Sequence, residues 1–408
     1  MQASPPPSPW QRFRRNRWAV GAVAYLLALG LLVSLGRPLL PDPSAYANRQ
    51  FTAWPRLPPG SQGWVLALPT ATAAPTGTAL ARWWWGPPPT AQYIALAHPD
   101  SLTTWEDTLF YTTAEGLRRW LLLPEAVATI DPTHPLTDHF RARYGKPYQF
   151  VHDTVRWVAP GGALHEAYLP HLIAQFRATR LRHLRFGLGT DTSGRDLLSR
   201  LVLGGRISLG VGALAVLVSL VLGVGVGAAA GYLGGRVDGL LQGLMTVLWS
   251  LPSLLLAIAL AFVLGRGFVS LSLAIGLSVW VDVARVVRGE VLSLKTRTYV
   301  LATRVLGLPR WRILGYHILP SLVGPVAILA ASSFATAILL EAGLSFLGLG
   351  VAPPTPSWGG MLQAHYRYVL VPGNAWLAWL PGLAIVSVIL ALNLVAQGLR
   401  DAFDVRQN

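Results

Sequence analysis

From Ile207 to Gly235 the chain runs for 29 residues without a formal charge, held between Arg206 and Arg236. A helix rising 1.5 Å per residue needs about 20 such residues to cross a hydrocarbon layer of ~30 Å. Four more uncharged runs follow: Gly239–Gly265 with 27 residues, Gly267–Val281 with 15, Ile313–Leu340 with 28 and Tyr368–Leu399 with 32. The 15-residue run spans only if its helix continues past Asp282 to Arg285 and Arg288. Pro320 and Pro325 place the start of the fifth span beyond them, and the last span is best helical from Pro381 onward. A further run of 19 residues, Trp18–Gly36, follows Arg12, Arg14, Arg15 and Arg17. Arg37-Pro38 comes next in place of a small-residue cleavage site, so the segment reads as a retained helix and not as a signal peptide. Six spans are expected.

Only 12% of the 408 residues are charged, against roughly 25% in soluble domains. The excess of 33 basic over 18 acidic residues is almost all arginine beside apolar runs, where cations orient helices. No nucleic-acid partner is expected. The short-loop cations place the N-terminus, the segment 285–312 and the tail with Arg400 and Arg406 inside, and residues 37–200 outside. The expected organisation is therefore a cytoplasmic tail (1–17), a first helix (18–36), an extracytoplasmic insertion (37–200), a membrane core (201–400) and a cytoplasmic tail (401–408). The fold class is an all-α membrane protein carrying a large insertion of mixed or unknown fold. Within the insertion, Gly63–Leu68 and Gln92–Ala97 alternate like strands, and Trp83 to Pro89 punctuates the chain. The absence of cysteine excludes disulfides and thiolate metal sites.

The inside loop 289–322 is too long for a turn and too polar to span. Tyr299 to Leu306 has helical spacing and stops at Gly307, with Pro309 beyond. A second short helix resumes at Trp311 and is broken by Pro320. Leu306, Leu308 and Trp311 are expected to be exposed, and either a partner protein or lipid headgroups must cover them. Glu341 in the fifth span reads as a gate or path residue or as an interhelical hydrogen-bonding post. Asp282 and Arg285, three residues apart, are expected to pair on one face. In the loop before the second span, Asp191, Arg195 and Asp196 form a docking cluster or serve the loop itself, Thr190-Asp191 capping the next helix.

Gly307 followed by Ile318-Leu319-Pro320 resembles the cytoplasmic loop of ABC importer permeases. So do Leu188-Gly189-Thr190-Asp191 with Gly194-Arg195-Asp196, Gly231-Tyr232-Leu233-Gly234-Gly235, Pro252-Ser253-Leu254-Leu255, Glu341 through Gly350, Pro353 through Gly359, and Gly398-Leu399-Arg400-Asp401. Over 188–404 the chain resembles the C-type subunit of dipeptide/oligopeptide permeases. The resemblance implies a type I importer permease fold and a pore shared with a second homologous permease subunit. It also implies two cytoplasmic ATPase subunits, an extracytoplasmic solute-binding protein and embedding in the bilayer. The implied ATPase-coupling residues are Tyr299, Leu301, Ala302, Thr303, Arg304, Leu306, Gly307, Leu308, Trp311, Ile318 and Pro320. Glu341, Ser345 and Phe346 are candidates for the path or gate, and Gly189, Thr190, Asp191, Gly194, Arg195 and Asp196 form an outer-loop signature. Leu301-Ala302-Thr303 stands where the family has Glu-Ala-Ala, so the docking chemistry at Leu301 departs from the pattern. The 37–200 insertion is also far longer than the family's.

No phosphate-cradling G-x-x-x-x-G-K-[ST] occurs, since Lys146 precedes Pro147 and Lys295 follows Leu294. ATP and Mg are thus expected in the partner ATPases, no cofactor or metal in this chain, and no catalytic residue. The rival readings are a membrane-anchored extracytoplasmic enzyme or binding protein using 37–200, and an ion-coupled transporter. The second would need two similar halves, which are not evident.

Overall fold

The computed structural model describes residues 8–69, 91–124, 130 and 133–403. The Trp83–Pro89 stretch and the tail residue Arg406 lie outside them. The chain forms two units, one from its beginning to Pro38 and again from Leu201 onward, the other Leu39–Arg200.

The first unit opens with α1 (Pro9–Arg15) and α2 (Arg17–Leu35). Ser8 and Gln11 cap α1 reciprocally, and the Asn16 side chain accepts from the Ala19 N–H to start α2. In the second unit β1 (Ser61–Pro69) and β2 (Ala91–Ala95) are strands where alternation predicts them. β3 (Leu102–Trp105), β4 (Thr108–Thr112), β5 (Arg118–Leu122), α3 (Pro135–Tyr144), β6 (Gln149–Val151), β7 (Thr154–Val158), β8 (Leu164–Tyr168), α4 (Leu169–Arg180) and β9 (Leu181–Phe186) follow. The strands form antiparallel sheets ordered β2-β1-β9, β3-β4-β5 and β6-β7-β8. Leu66, Leu109, Leu123, Tyr148, Val155 and Phe176 are the buried centre. Nearby, Asp107 receives bonds from Lys146 and the Tyr148 hydroxyl, so a buried carboxylate is paired and not isolated.

The remaining helices are α5 (Leu197–Leu233), α6 (Gly235–Trp249), α7 (Ser253–Leu264), α8 (Phe268–Lys295), α9 (Thr298–Val305), α10 (Arg310–Ile313), α11 (Val323–Phe346), α12 (Trp358–His365) and α13 (Trp376–Phe403). Five helices are long and apolar enough to cross a membrane, or up to six if the bent pair α6 and α7 counts as one span. That pair stands where the third span is expected, with its axes turned by 90° at the break Ser250–Pro252. Pro252 at the corner cannot donate to a continuing helix, a signal that the count of uncharged residues does not register.

Pro320 also departs from expectation. Helix continues from Arg310 to Phe346, loosening to a π turn at Leu314–Ile318 and tightening at Leu319–Leu322. The altered ladder absorbs the missing Pro320 N–H, so the proline distorts the helix without ending it. Likewise α13 begins at Trp376 and carries Pro381 inside its first turns. α8 does run past Asp282 to Lys295, which makes the short uncharged run a full span.

A stripe of glycines lets α5 meet α8. A Cβ at Gly223 would lie 2.5 Å from Val283 Cβ, at Gly227 2.4 Å from the Ala284 carbonyl oxygen, and at Gly231 2.9 Å from the Arg288 carbonyl oxygen. Spaced four apart, the three share one helix face, and the backbones approach as small-residue membrane interfaces do. At the opposite end of the bundle, the Arg206 guanidinium donates to the carbonyls of Val33 (2.9 and 3.1 Å) and Ser34 (2.8 Å). These are terminal carbonyls of α2, which have no partners within the helix.

Candidate functional site

The α9–α10 turn has one covered and one bare side. Val300, Ile313, Ile318 and Leu322 are fully buried against Val283, Val287 and Val291 of α8. The turn closes as a Schellman motif: Gly307 N–H donates to Arg304 O and Leu308 N–H to Thr303 O. Gly307 has φ +71°, in the left-handed region that glycine enters without strain. Leu308 packs against the buried cluster, which corrects its expected exposure: the closing hydrogen bond turns it inward. On the bare side Val305 is 88% exposed, Leu306 78% and Trp311 66%. Tyr299, Leu301, Ala302 and Arg304 flank them, while Thr303 is buried and its hydroxyl donates to Val300 O. Leu301 thus presents an apolar side chain at the position where the resemblance implies a carboxylate. Gly307→Ala meets no atom within 4 Å, so only the left-handed backbone opposes it. A loss of about 1 kcal/mol in chain stability is expected, read by thermal unfolding in detergent.

Behind this surface, Arg288 grips Asp238 of α6 with two bonds of 2.6 and 2.7 Å. Lys295 donates to the Tyr232 carbonyl, and Arg304 lies 5.8 Å from the Tyr232 ring. These fix α8 and α9 to the end of α5. Asp282 and Arg285 do not pair with each other. Asp282 accepts from Trp249 Nε1 at 2.9 Å, and Arg285 stacks over the Trp249 ring and reaches Thr246. The bend that brings α6 alongside offers both groups better partners than sequence proximity does.

Glu341 is wholly buried, with Ser345 donating to Oε1 at 2.7 Å, Ser357 bonded in turn to the Ser345 hydroxyl, and Oε2 without a hydrogen-bond partner among the described residues. Ser208 accepts from the Trp358 N–H. The cluster joins α5, α11 and the start of α12 beside the apolar group of Ile338, Trp358, Ile385 and Val388. Phe346 stands apart, 40% exposed with its ring edge-on to Tyr366.

In the second unit, the Gly189–Asp196 loop folds on itself. Asp191 accepts from the Ser193 and Arg195 N–H groups and pairs with the Arg195 guanidinium at 2.6 Å and with Arg200 at 3.6 Å. Thr190 bonds Leu57 N and Trp54 O. Gly189 and Gly194 take positive φ, and a Cβ at Gly194 would strike the Phe51 backbone. The cap of α5 is Asp196, accepting from Ser199 N–H and Oγ–H; this corrects the expected Thr190-Asp191 cap, whose polar atoms are spent on the loop. Burial pushes Asp196 up to about 6 despite the Ser199 bonds, with Asp42 adding to the rise. A raised acid favours the fold while protonated. Its contribution of about 2–3 kcal/mol is full below pH ~4 and is lost as pH rises through ~6. Asp196→Asn should flatten that part of the pH dependence of thermal unfolding; an unchanged slope would mean another acid titrates.

Among the described residues no group of three or more His, Asp or Glu is placed to hold a metal ion. Residues 223–408 match the family model described as binding-protein-dependent transport system inner membrane component. The di/tripeptide transport system permease protein DppC of Pseudomonas aeruginosa is 43% identical over 220 residues, 54% of this chain and 72% of that protein. The oligopeptide transport system permease protein OppC of Haemophilus influenzae is 40% identical, covering 53% of this chain and 69% of that one. The glutathione transport system permease protein GsiD of Escherichia coli O6:K15:H31 is 39% identical over 250 residues, 61% of this chain and 80% of its own. A solved structure of the MetNI methionine ABC transporter aligns with 51% of this chain and 98% of its own at TM-score 0.40 and 18% identity.

Proposed function

The chain belongs to the family of binding-protein-dependent transport system inner membrane components, and from that premise we propose that it is a pore subunit of an ATP-driven importer of peptides or peptide-like solutes. The observation that carries the coupling part is the bare patch of Val305, Leu306 and Trp311 over a rigidly packed base. Apolar side chains of that size, fixed by a capped turn, fit a groove on an ATPase subunit better than they fit water. We place Tyr299, Leu301, Ala302, Arg304 and Leu306 with Trp311 on the contact. Val300, Thr303, Gly307, Leu308, Ile318 and Pro320 hold its shape.

In this reading, closure of two ATPase subunits pushes the α9–α10 turn. The push passes through Ile313, Ile318 and Leu322 into α11 and through Val300 into α8, and so alternates access between the two sides. ATP and Mg belong to those partners. A second homologous permease completes the pore, and an extracytoplasmic solute-binding protein delivers the cargo. The termini lie in the cytoplasm and 37–200 outside. Glu341 and Ser345 act as a packing post, because the carboxylate is bonded by the Ser345 hydroxyl and wholly buried beside apolar side chains; Phe346 remains the candidate for lining the path. The Gly189–Asp196 signature positions the start of α5.

Affinity purification of the tagged chain from co-expressing cells checks this. An ATPase is expected to accompany the native chain and to be lost with Leu306→Asp. Recovery of the chain without any ATPase, under conditions where its permease partner is retained, would overturn it.

A further inference from the structure

The unit Leu39–Arg200 contains a cleft of about 1520 Å³ whose described lining residues all belong to that unit. Its floor is one face of the β2-β1-β9 sheet, where pairing sets Ala67, Tyr93, Arg182 and Leu184 on the same side. Its walls include β2 and β5, each the outermost strand of its sheet. Parity fixes which backbone groups are open. Leu96 N–H donates to Trp64 O, so Gln92 and Ile94 face β1 while Ala91, Tyr93 and Ala95 face away. Ala114 N–H takes the Ala95 carbonyl; no described residue takes the groups of Ala91 and Tyr93. On β5, Leu117 O and Leu123 N–H bond on the β4 side, which leaves Arg118, Trp120 and Leu122 facing outward. Among the described residues, the outward backbone groups of Ala91 and Tyr93 on β2 and of Arg118, Trp120 and Leu122 on β5 have no partner, and open edge groups on one cleft are suited to an added strand.

The charge of the cleft is one-sided. Among the described residues, Arg49, Arg119, Arg180 and Arg182 line it against the single carboxylate of Glu115. Arg49 is already engaged, paired with Asp42 at 3.7 Å and stacked on Tyr93. The other three form no ion pair with a described residue, and Arg180 Nε is buried without a hydrogen-bond partner. A buried guanidinium N–H without an acceptor is costly, and a carboxylate is its best acceptor. The volume exceeds the ~300–1,000 Å³ of sites built for drug-sized ligands, leaving room for several extended residues at ~3.3 Å each.

We propose that this cleft binds a short peptide in extended form, adding as a strand to the open edge of β2, with a carboxylate of the peptide held by Arg119, Arg180 and Arg182. The chemistry of the site stands on the cleft itself; that the bound peptide is cargo rests on the importer reading above. The full chain in lipid nanodiscs, without partners, is titrated calorimetrically with tetra-alanine and with its C-terminal amide. The acid is expected to bind, and the amide about tenfold more weakly or worse, which assigns the carboxylate to the C-terminus. Arg119→Ala and Arg182→Ala, both at exposed positions, should each weaken the acid about tenfold and leave the amide unaffected. Tyr93→Pro, which removes an outward N–H at a sheet edge that tolerates proline, should weaken acid and amide alike. No binding of tetra-alanine, equal binding of acid and amide, or arginine variants that bind as tightly as the native chain would overturn the proposal. Absent binding with intact ATP-driven uptake by the assembled transporter defeats the cleft alone. Binding without such uptake defeats the importer reading alone.

Discussion

Gly227→Val is expected to leave little folded chain: lower yield from membranes, a broadened elution profile and a melting point in detergent reduced by many degrees. The Cβ alone would sit 2.4 Å from the Ala284 carbonyl oxygen and 3.0 Å from Val287 Cβ. Backbone cannot step aside as a flexible side chain does, so α5 and α8 must separate. Separation also uncovers the contacts of Gly223 and Gly231 on the same face. Overpacking commonly costs 1–3 kcal/mol, and here several contacts fail together, so ~3 kcal/mol or more is expected. Gly225→Ala supplies the comparison. That position is exposed and has no atom within 4 Å of a built Cβ, so it should melt with the native chain or slightly above it, alanine being the better helix former. Equal stability of the two variants would refute the close α5–α8 packing.

The second large effect concerns function without stability. Leu306→Asp and Trp311→Ala alter side chains that are 78% and 66% exposed, so the melting point should move little. ATP-driven uptake should fall on the order of thirtyfold or more, because truncating a central apolar anchor typically costs 2 kcal/mol or more of binding. Ile313→Ala, by contrast, removes a side chain that is 1% exposed and should lower stability by about 2–4 kcal/mol. Measuring uptake and melting for all three separates a docking surface from a merely structural loop. If the patch only rests on lipid, Leu306→Asp would leave uptake in place.

The spans of the membrane unit are largely legible in the sequence because a bilayer imposes a length of uncharged chain that survives any packing detail. The stop at Gly307 is legible for the same reason: a left-handed turn needs a particular residue, and Pro309 confirms it locally. What escapes is set by neighbours. The bend at Ser250–Pro252 lies inside an unbroken uncharged run. Pro320 reads as a break, yet a π turn carries the helix through it. Asp282 and Arg285 look like partners until α6 folds alongside and offers Trp249 and Thr246. The cap of α5 is misplaced by five residues because Thr190 and Asp191 are drawn to Leu57, Trp54 and Arg195, contacts distant in sequence or closed only by the turn. In the insertion, the strands Gly63–Leu68 and Gln92–Ala97 show in their alternation. Their pairing, including β1 with β9 more than a hundred residues on, does not. The cleft with its open strand edges is therefore invisible until the sheets are formed.

Coupling to ATP is the centre of the account, and reconstitution addresses it most directly. The chain is placed in proteoliposomes with the proposed second permease and ATPase subunits, and uptake of labelled peptide from the proposed binding protein is followed with and without ATP on the ATPase side. Uptake that requires ATP, ignores an imposed ion gradient and is lost with Leu306→Asp is the predicted result. Uptake that proceeds without ATP and follows the gradient would contradict it.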